Sequence, residues 1–298
     1  MITNKPPNHP TTQTAIIGAG PAGIAAAIQL QRYGFAPIIL EKDNVGGLLR
    51  NANLVENYPG FPNGIPGPKL VALFKKQMRR LGVGVTYDEV TSLDFDGARF
   101  LVQAKCNIYS ASRIILATGT KSKPFPIEIP SHARDRVFGE VYPLLEVRGK
   151  QIVIVGAGDA AFDYALNLAS RGNAVTILNR SRETACLPLL RERASAIPSI
   201  TYLEKTTVQR IEIEAPTGRL SLLTPRSSLR TDYLLFAIGR EPATDFLTER
   251  VKLQAQTLQE NGKLYLVGDV HNGLYRQTAI AVGEGLRAAM QIYGGLVS

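Results

Sequence analysis

Two glycine-rich turns lie far apart in the chain, and each has the residue types and spacing of a dinucleotide-binding loop. The first, GAGPAG, spans Gly18–Gly23, and the second, GAGDAA, spans Gly156–Ala161. Each follows a short apolar stretch and precedes a helical pattern, which predicts a strand, a tight turn and a helix. The free N–H groups and the positive dipole end of such a helix attract a pyrophosphate. Two loops in one chain therefore predict two bound dinucleotides.

The first loop carries further signals of a site for a dinucleotide with free ribose hydroxyls. Gly18 permits the tight turn, Gly20 lets the backbone approach a pyrophosphate, and Gly23 lets the helix pack closely on the strand. The next predicted strand ends at Glu41, 23 positions after Gly18. A carboxylate there can accept hydrogen bonds from both ribose hydroxyls of an adenosine. The alternative is a structural glycine turn followed by a chance glutamate.

The second loop has the same register but different chemistry. Asn179 follows Gly156 by the same 23 positions, so the acid is missing; Arg180 comes directly after it, and Arg182 is close behind. A carboxylate would repel a 2′-phosphate, whereas arginines attract it and donate hydrogen bonds to it. We therefore predict NADP(H) rather than NAD(H) at this loop. The alternative is that the two arginines are ordinary exposed charges at the end of a strand.

Composition and charge exclude several classes of protein. The chain has 298 residues, of which 45% are hydrophobic and 20% charged, as expected for a globular protein large enough to divide into two domains. No apolar run approaches the roughly 18 residues of a membrane span. The formal net charge is +9, but no basic run of five residues and no nucleic-acid motif is present, so we expect neither a nucleic-acid nor a membrane partner. The most basic stretch, Lys69–Gly82, predicts an amphipathic helix, either a solvated one or a docking surface for an acidic protein.

The terminus and the cysteines indicate the cellular compartment. Residues 1–13 are polar and proline-rich, and we expect a frayed tail rather than a secretion signal. Cys106 and Cys186 are the two cysteines, and they are too few and too far apart for a disulphide framework. This usage favours a reducing cytoplasm. We predict no metal site.

Four segments carry a resemblance to a known family. They are GGLLRNANLVENYPGFP (Gly46–Pro62), RIILATGTKSKP (Arg113–Pro124), LLFAIGREPAT (Leu234–Thr244) and LYLVGDVHNGLYRQTAIAVGEGLRAA (Leu264–Ala289). With the two glycine loops, they resemble the low-molecular-weight thioredoxin reductases, which are FAD- and NADPH-dependent flavoproteins. The resemblance implies an α/β fold of two Rossmann-like domains and a homodimer. It places an NADP(H) domain, residues 122–238, inside an FAD domain of residues 1–121 and 239–298, and in the family the inserted domain can rotate.

The resemblance also implies the residues of each cofactor site. For FAD they are Gly18, Gly20, Pro21, Ala22, Gly23, Glu41, Lys42, Gly47, Leu48, Asn57, Ala117, Thr118, Gly119, Gly268, Asp269, Arg276, Gln277 and Thr278. For NADP(H) they are Gly156, Gly158, Asp159, Ala160, Asn179, Arg180, Arg182, Ile238 and Gly239.

Several of these residues have a specific implied role. Asp269 binds a ribityl hydroxyl, and Arg276 and Gln277 lie near the isoalloxazine ring and the dimer contact, unless they are only a polar pair at a helix start. Gly283 and Gly285 let the last helix pack closely on the cofactor or the sheet.

The chain departs from the family at the residues that give the reductases their name. The family carries a Cys-x-x-Cys pair before the second glycine loop, and the matching positions here are Gly139 and Tyr142. Neither residue can exchange a disulphide, because that reaction requires a thiolate. The resemblance places neither Cys106 nor Cys186 beside the flavin, and Tyr142 is a candidate for stacking near it.

The resulting prediction is an NADPH-dependent FAD oxidoreductase whose acceptor reaches the flavin directly. Candidate acceptors are ferredoxin or flavodoxin, a quinone, a ferric chelate and oxygen, and the positive charge favours an acidic carrier. The chain also resembles thioredoxin reductase-type ferredoxin–NADP reductases, although with the sequence ending at Ser298 we expect no counterpart of their long C-terminal extension. Two alternatives stay open: a disulphide reductase that uses other thiols, and a flavoprotein without reductase turnover.

Overall fold

The chain folds into two compact units. The computed structural model describes residues 11–214 and 217–297. The first unit comprises Met1–Arg50, Glu56–Lys121 and Pro242–Ser298. The second comprises Asn51–Val55 and Ser122–Glu241.

The strands and helices are numbered in chain order. The strands are β1 Thr11–Ile17, β2 Ile38–Glu41, β3 Thr86–Tyr87, β4 Val90–Phe95, β5 Phe100–Ala104, β6 Ile108–Leu116, β7 Thr120–Ser122, β8 Val137–Phe138, β9 Gln151–Val155, β10 Ala174–Leu178, β11 Ile200–Leu203, β12 Arg210–Glu214, β13 Arg219–Leu223, β14 Ser228–Thr231, β15 Tyr233–Phe236, β16 Arg240–Pro242 and β17 Leu264–Leu266. The helices are α1 Pro21–Arg32, α2 Gly67–Arg80, α3 Asp159–Ala169, α4 Pro188–Ser195, α5 Glu249–Glu260 and α6 Thr278–Val297. Short 3₁₀ turns lie at Gly47–Asn51, Ser131–Arg136, Tyr142–Leu144 and Gly268–Val270.

The sheet of the first unit has the order β3-β2-β1-β6-β5-β4, and β17 also pairs with β6. Strands β1, β2, β6 and β17 are parallel, so their carboxyl ends align. Ile17 lies opposite both Leu40 and Leu116, and Leu116 lies opposite Leu266. The turns after these strands therefore meet at one edge, where open parallel sheets bind ligands.

The amino-terminal strand begins earlier than the composition predicts. Thr11 and Thr12 pair with Ser110 and Ala111 of β6, and β1 continues through Gln13. The expectation of a frayed tail was therefore wrong for residues 11–13, because parallel pairing provides partners for backbone groups whatever the side chains are. Residues 1–10 of the expected tail lie outside the described part of the chain.

Helix α2 confirms the amphipathic helix predicted at Lys69–Gly82. Leu70, Val71 and Met78 are buried, whereas Lys76 and Arg79 are exposed. The hydrophobic face belongs to the core, and the charged face is in water.

Helices α1 and α6 pack closely in the first unit because of one glycine. A Cβ on Gly285 would lie 2.1 Å from the carbonyl oxygen of Ala22, closer than any real contact. Gly285 therefore allows close packing of α6, but its neighbour is helix α1, whereas the prediction named the cofactor or the sheet. At Gly283, which is exposed, no described atom lies within 4 Å of where its Cβ would be, so its predicted packing on the cofactor stays a prediction.

The second unit contains a parallel sheet of order β11-β10-β9-β15-β8 and an antiparallel sheet of β12, β13 and β14. The register aligns Val155 with Leu178 and Phe236, and Leu178 with Leu203. The turns after β9, β10, β11 and β15 therefore share one carboxyl edge, as in the first unit. The predicted α/β class is confirmed, since both sheets have adjacent parallel strands, although β4 and β5 of the first unit's sheet pair antiparallel.

Candidate functional site

The first glycine turn is built so tightly that two of its glycines cannot be replaced. Gly18 has a φ of +103°, and a Cβ there would lie 2.4 Å from the carbonyl oxygen of Ala117. A Cβ on Gly23 would lie 2.0 Å from the carbonyl oxygen of Gly18. At Gly20 no described atom lies within 4 Å of the Cβ position. The turn is therefore closed on the protein side and open at Gly20, which suits the approach of a phosphate.

The carboxylate of Glu41 is buried and held against this turn. Its Oε2 accepts a hydrogen bond from the amide of Ala19 at 2.7 Å, and its Oε1 accepts one from the amide of Asp43 at 3.0 Å. Each carboxylate oxygen has a second acceptor position. The side chain is thus oriented by the backbone and keeps acceptor capacity for ribose hydroxyls.

The turns after β6 and β17 add polar groups at the same edge. The Oγ1 atom of Thr118 is buried and has no hydrogen-bond partner among the described residues. Gly119 follows with a φ of +63°. After β17, Gly268 donates its amide to Glu284 at 2.6 Å, and Asp269 lies in the 3₁₀ turn. A buried hydroxyl without a protein partner is a group that a bound ligand can satisfy, so this edge fits a polar cofactor such as FAD.

The segment after β2 contacts the first glycine turn. Gly46 donates its amide to the carbonyl oxygen of Ala19 at 2.8 Å, and a Cβ on Gly47 would lie 3.3 Å from the Cα of Gly20. The remaining residues that the resemblance assigns to FAD are placed as follows: Pro21 and Ala22 begin α1, Lys42 is exposed, Leu48 and Arg276 are half-buried, and Thr278 is the first residue of α6. The structure also links Asn57 and Gln277, whose side chains share a hydrogen bond of 2.8 Å.

The second glycine turn repeats the construction of the first. Gly156 has a φ of +132°, and a Cβ there would lie 2.2 Å from the carbonyl oxygen of Ala237. No described atom lies within 4 Å of a Cβ position on Gly158. Ala161 is buried where the first turn has its third glycine. In each turn, the first glycine packs on an alanine carbonyl that precedes the next loop, Thr118–Gly119 in one case and Ile238–Gly239 in the other.

The start of helix α3 is covered by a loop of the same unit. Asp159 accepts a hydrogen bond from the amide of Leu187 at 2.7 Å through its carboxylate, and Gly158 forms an isolated parallel bridge with Ala185. One carboxylate oxygen of Asp159 is therefore already used by a hydrogen bond within the protein. Its neighbour Ala160 is exposed.

The side chain of Asn179 organises the turn after β10 instead of facing a ligand. Its Nδ2 donates to the carbonyl of Glu183 at 2.9 Å and to the hydroxyl of Tyr202 at 2.7 Å. Its Oδ1 accepts from the amide and hydroxyl of Ser181, at 3.0 and 3.2 Å. These contacts use both donors and both lone pairs of the amide. Arg180 and Arg182, which flank Ser181, are exposed.

The comparisons with known proteins identify the family. Residues 12–285 match the model of the pyridine nucleotide-disulphide oxidoreductases. The chain belongs to this family. Thioredoxin reductase of Chlamydia pneumoniae is 30% identical over 299 residues, covering 92% of this chain and 96% of the relative. Mitochondrial thioredoxin reductase 1 of Arabidopsis thaliana is 30% identical over 308 residues, covering 94% and 82%.

Solved structures agree with this assignment. Thioredoxin reductase of T. acidophilum has a TM-score of 0.80 at 26% identity and covers 97% of this chain and 99% of its own. That of Lactococcus lactis has a TM-score of 0.81 at 25% identity and covers 96% and 99%. This pyridine nucleotide-disulphide oxidoreductase is therefore of the thioredoxin reductase type. Reductases of this type use FAD and NADPH, so the predicted cofactor pair and the two Rossmann-like folds are confirmed.

The two positions predicted to match the dithiol of thioredoxin reductases, Gly139 and Tyr142, lie in a crowded segment of the second unit. A Cβ on Gly139 would lie 2.7 Å from the Oγ and 2.9 Å from the Cβ of Ser122. The Ser122 hydroxyl donates to the carbonyl of Gly139 at 3.0 Å, and Arg240 donates to that hydroxyl at 3.1 Å. Tyr142, the second position, is 41% exposed.

The same segment contains residues that the sequence did not reveal. Asn51 is buried, and its Oδ1 accepts a hydrogen bond from the amide of Tyr142 at 3.1 Å. Glu140 forms an ion pair with Arg240 at 3.1 Å through its Oε1. The side-chain Nδ2 of Asn51 donates to Oε2 of the same carboxylate at 3.4 Å. Asn53 donates its amide to Asp163 at 2.9 Å. No local pattern marks these residues, because their partners lie about 90 to 110 positions away.

Each of the two cysteines lies in a well-defined but separate environment. Cys106 is exposed in the turn between β5 and β6, and its amide donates to Asp88 at 3.0 Å. Burial alone would raise the pKa of Asp88, but hydrogen bonds from Cys106, Asn107 and Tyr109 hold that pKa below its usual value. Cys186 is half-buried in the loop before α4 and packs against the core of the second unit.

The described residues contain neither a membrane-spanning helix nor a metal-binding cluster. No helix there combines the length and apolar character that a bilayer-spanning segment needs. Within residues 11–214 and 217–297, no group of three or more His, Cys, Asp or Glu side chains is placed to hold a metal ion. His271 instead contacts the carboxylate of Glu284, at 3.1 Å.

Proposed function

We propose that this oxidoreductase passes electrons from NADPH through FAD to an acceptor without a Cys-x-x-Cys relay. The observation that carries the proposal is the pair of similar glycine turns with different neighbours. Buried Glu41 faces the first turn, whereas Asn179 orders the turn that carries Arg180 and Arg182, at the carboxyl edge that the second glycine turn shares. A carboxylate suits the free ribose of FAD, and two exposed arginines suit the 2′-phosphate of NADP(H).

Each unit is assigned one cofactor on this basis. Residues 1–121 and 239–298 form the proposed FAD domain, and residues 122–238 the proposed NADP(H) domain. FAD supplies the redox chemistry when bound, because it takes a hydride equivalent and releases two electrons singly or together. The chain binds and orients: Gly20 leaves room for a phosphate, Glu41 accepts from the ribose, and Thr118 and Asp269 offer polar groups at the same edge.

The names of the relatives and the residues of this chain favour different electron acceptors. The relatives are named thioredoxin reductases, which favours thioredoxin as the partner. The positions of the relay, however, are Gly139 and Tyr142, and neither side chain exchanges a disulphide. We therefore propose an acceptor that takes electrons from the flavin directly: a ferredoxin or flavodoxin, a quinone, a ferric chelate or oxygen. The net charge of +9 favours an acidic carrier protein among these.

A panel of acceptors tests this proposal. The purified protein is mixed with NADPH and, in turn, oxidised thioredoxin, flavodoxin, a quinone and a ferric chelate, and NADPH consumption is followed. We expect turnover with at least one direct acceptor, none with thioredoxin, and a rate with flavodoxin that falls as salt rises, because exposed charges are screened. Turnover with thioredoxin alone would contradict the proposal.

The cysteines allow a second candidate function, a disulphide reductase that uses another thiol. Cys106 is exposed and Cys186 is half-buried, so each is tested by replacement with serine. We expect the Cys106→Ser, Cys186→Ser double variant to keep the wild-type rate with every acceptor. Loss of turnover in the double variant would favour the disulphide reductase. FAD binding without turnover with any acceptor would favour a flavoprotein that only binds or senses.

We also propose that the protein is a homodimer that works in the cytoplasm. Helix α6 presents Leu286, Met290 and Tyr293 to solvent at helical spacing, an apolar stripe that a second copy can cover. The ring of Tyr293 stacks on that of Tyr33, the residue directly after α1, with centroids 4.1 Å apart, which orients this end of the stripe. The two cysteines of the chain are unpaired, which is typical of proteins of a reducing compartment.

A further inference from the structure

The turn after β11 is joined to the arginine-bearing turn after β10. Lys205 donates its amide to the carbonyl of Ser181 at 3.3 Å, and Thr206 donates its amide to the carbonyl of Asn179 at 2.8 Å. The amide of Asn179 donates in turn to the carbonyl of Leu203 at 2.9 Å. Three backbone hydrogen bonds thus hold the two turns side by side at the carboxyl edge of the second unit's sheet.

The backbone of Lys205 is strained at this place. Its φ is +50°, and it is the one non-glycine residue with positive φ among the described residues. The left-handed region costs a lysine about 1 kcal/mol or more, whereas glycine or asparagine adopts it readily. Strained residues of this kind cluster at functional sites. Lys205 therefore keeps a strained backbone at a position where glycine or asparagine would be relaxed.

Three cations of these joined turns are unpaired. Arg180, Arg182 and Lys205 are exposed, and within residues 11–214 and 217–297 none forms an ion pair. The acids of the same turns, Glu183 and Glu204, are exposed as well and do not pair with them. Unpaired cations on two turns that the backbone holds together attract an anion, because their fields add.

We propose that Lys205 is a third determinant of selectivity for the 2′-phosphate of NADP(H), together with Arg180 and Arg182. This inference rests on the proposed function, which places NADP(H) at the second glycine turn. A hydrogen bond of 2.7 Å between Asn179 and Tyr202 fixes the turn from which the arginines project. Asn179 and Tyr202 are therefore positioning residues. The ammonium of Lys205 acts on the phosphate as a compact point charge and not as a bidentate donor.

The test separates charge from backbone conformation. Lys205→Asn and Lys205→Gly remove the charge and keep a residue that tolerates the left-handed region, and Lys205→Arg keeps the charge. Lys150→Asn is the matched control, because Lys150 is exposed at the start of β9, the opposite edge of the same sheet. The dissociation constants of 2′,5′-ADP and of 5′-AMP are measured by calorimetry, and the KM for NADPH and for NADH by steady-state kinetics.

The expected result is a selective loss. Lys205→Asn and Lys205→Gly should raise the dissociation constant of 2′,5′-ADP and the KM for NADPH about three- to tenfold. The dissociation constant of 5′-AMP, the KM for NADH and kcat should not change. Lys205→Arg and Lys150→Asn should resemble the wild type in every measurement. Equal changes in the KM for NADPH and for NADH, or no change in either, would overturn the role of Lys205. That result would not affect the proposed role of Arg180 and Arg182. A wild-type protein that binds 5′-AMP as tightly as 2′,5′-ADP would overturn the proposed NADP(H) site and this inference with it.

Discussion

Gly139 faces Ser122 so closely that a Cβ on the glycine would lie 2.7 Å from the serine hydroxyl. That hydroxyl also accepts a hydrogen bond from Arg240, which pairs with Glu140 in turn. The position predicted to match the first cysteine of the dithiol is thus closed by packing as well as by its residue type. A thiol placed there would have to displace Ser122 and the ion pair behind it.

This packing predicts the effect of an added side chain. Gly139→Ala should lower the free energy of unfolding by about 1–3 kcal/mol, because an overpacked site must move its neighbours. Removing the Ser122 side chain should restore the stability, so Gly139→Ala with Ser122→Gly is the rescue variant. Gly84→Ala is the control, since no described atom lies within 4 Å of a Cβ there. Denaturant unfolding measures all four proteins, and equal stability of Gly139→Ala and Gly84→Ala would contradict the prediction.

Two glycines of α6 form a matched pair. Gly285→Ala should strongly destabilise the protein and weaken FAD retention, because its Cβ would meet the Ala22 carbonyl at 2.1 Å and push α6 away from α1. Gly283→Ala lies in open space and should be neutral or stabilising by about 0.5–1 kcal/mol, as alanine favours a helix. Denaturant unfolding and the flavin absorbance of the purified protein report both effects. Similar behaviour of the two variants would show that the α1–α6 contact is not close-packed.

The arginines after β10 should determine nucleotide preference. Charged hydrogen bonds contribute about 1.5–3 kcal/mol each, so Arg180→Ala and Arg182→Ala should each raise the KM for NADPH about tenfold or more and leave that for NADH unchanged. Arg226→Ala is the control, because Arg226 is an exposed arginine in the turn between β13 and β14 of the same unit. Steady-state kinetics with both nucleotides provide the comparison. An equal rise for NADPH and NADH would point to a structural role.

The apolar stripe of α6 predicts a dimer that one charge should break. Met290 is 57% exposed in the middle of the stripe, and Met290→Asp should yield a monomer at micromolar concentration because a buried unpaired carboxylate is costly. Leu253→Asp is the control, since Leu253 is 85% exposed on α5, outside the stripe. Light scattering coupled to size exclusion gives the mass of each protein. A wild-type monomer, or a Met290→Asp dimer, would place the interface elsewhere or remove it.

Local patterns were enough to predict the glycine turns and the positions where only glycine fits. Gly18, Gly23 and Gly156 occupy positions where a Cβ would collide with backbone, which is why their spacing is visible in the sequence. Glu41 was found by its fixed offset, which the length of a strand and a helix imposes. The amphipathic helix α2 was predicted for the same reason, since its contacts repeat at helical spacing.

The rest depends on partners that lie far apart in the chain. The hydrogen bond between Asn179 and Tyr202 joins two parallel strands, and the offset alone did not show that the Asn179 amide is used within the protein. The tight packing of Gly139 on Ser122 and the tie from Asn51 to Tyr142 likewise form only after the strands are paired. Gly283 and Gly285 have the same local pattern, and only the approach of α1 distinguishes them.

The most direct test of the account is reduction of the bound flavin by NADPH without oxygen, followed at the visible absorbance band. We expect NADPH to bleach the band rapidly, NADH to do so much more slowly at the same concentration, and the double variant Cys106→Ser, Cys186→Ser to behave as the wild type. Failure of both nucleotides to bleach the band would contradict the central claim that the two glycine turns serve one electron path. Bleaching that is lost in the cysteine variant would contradict a path that works without thiols.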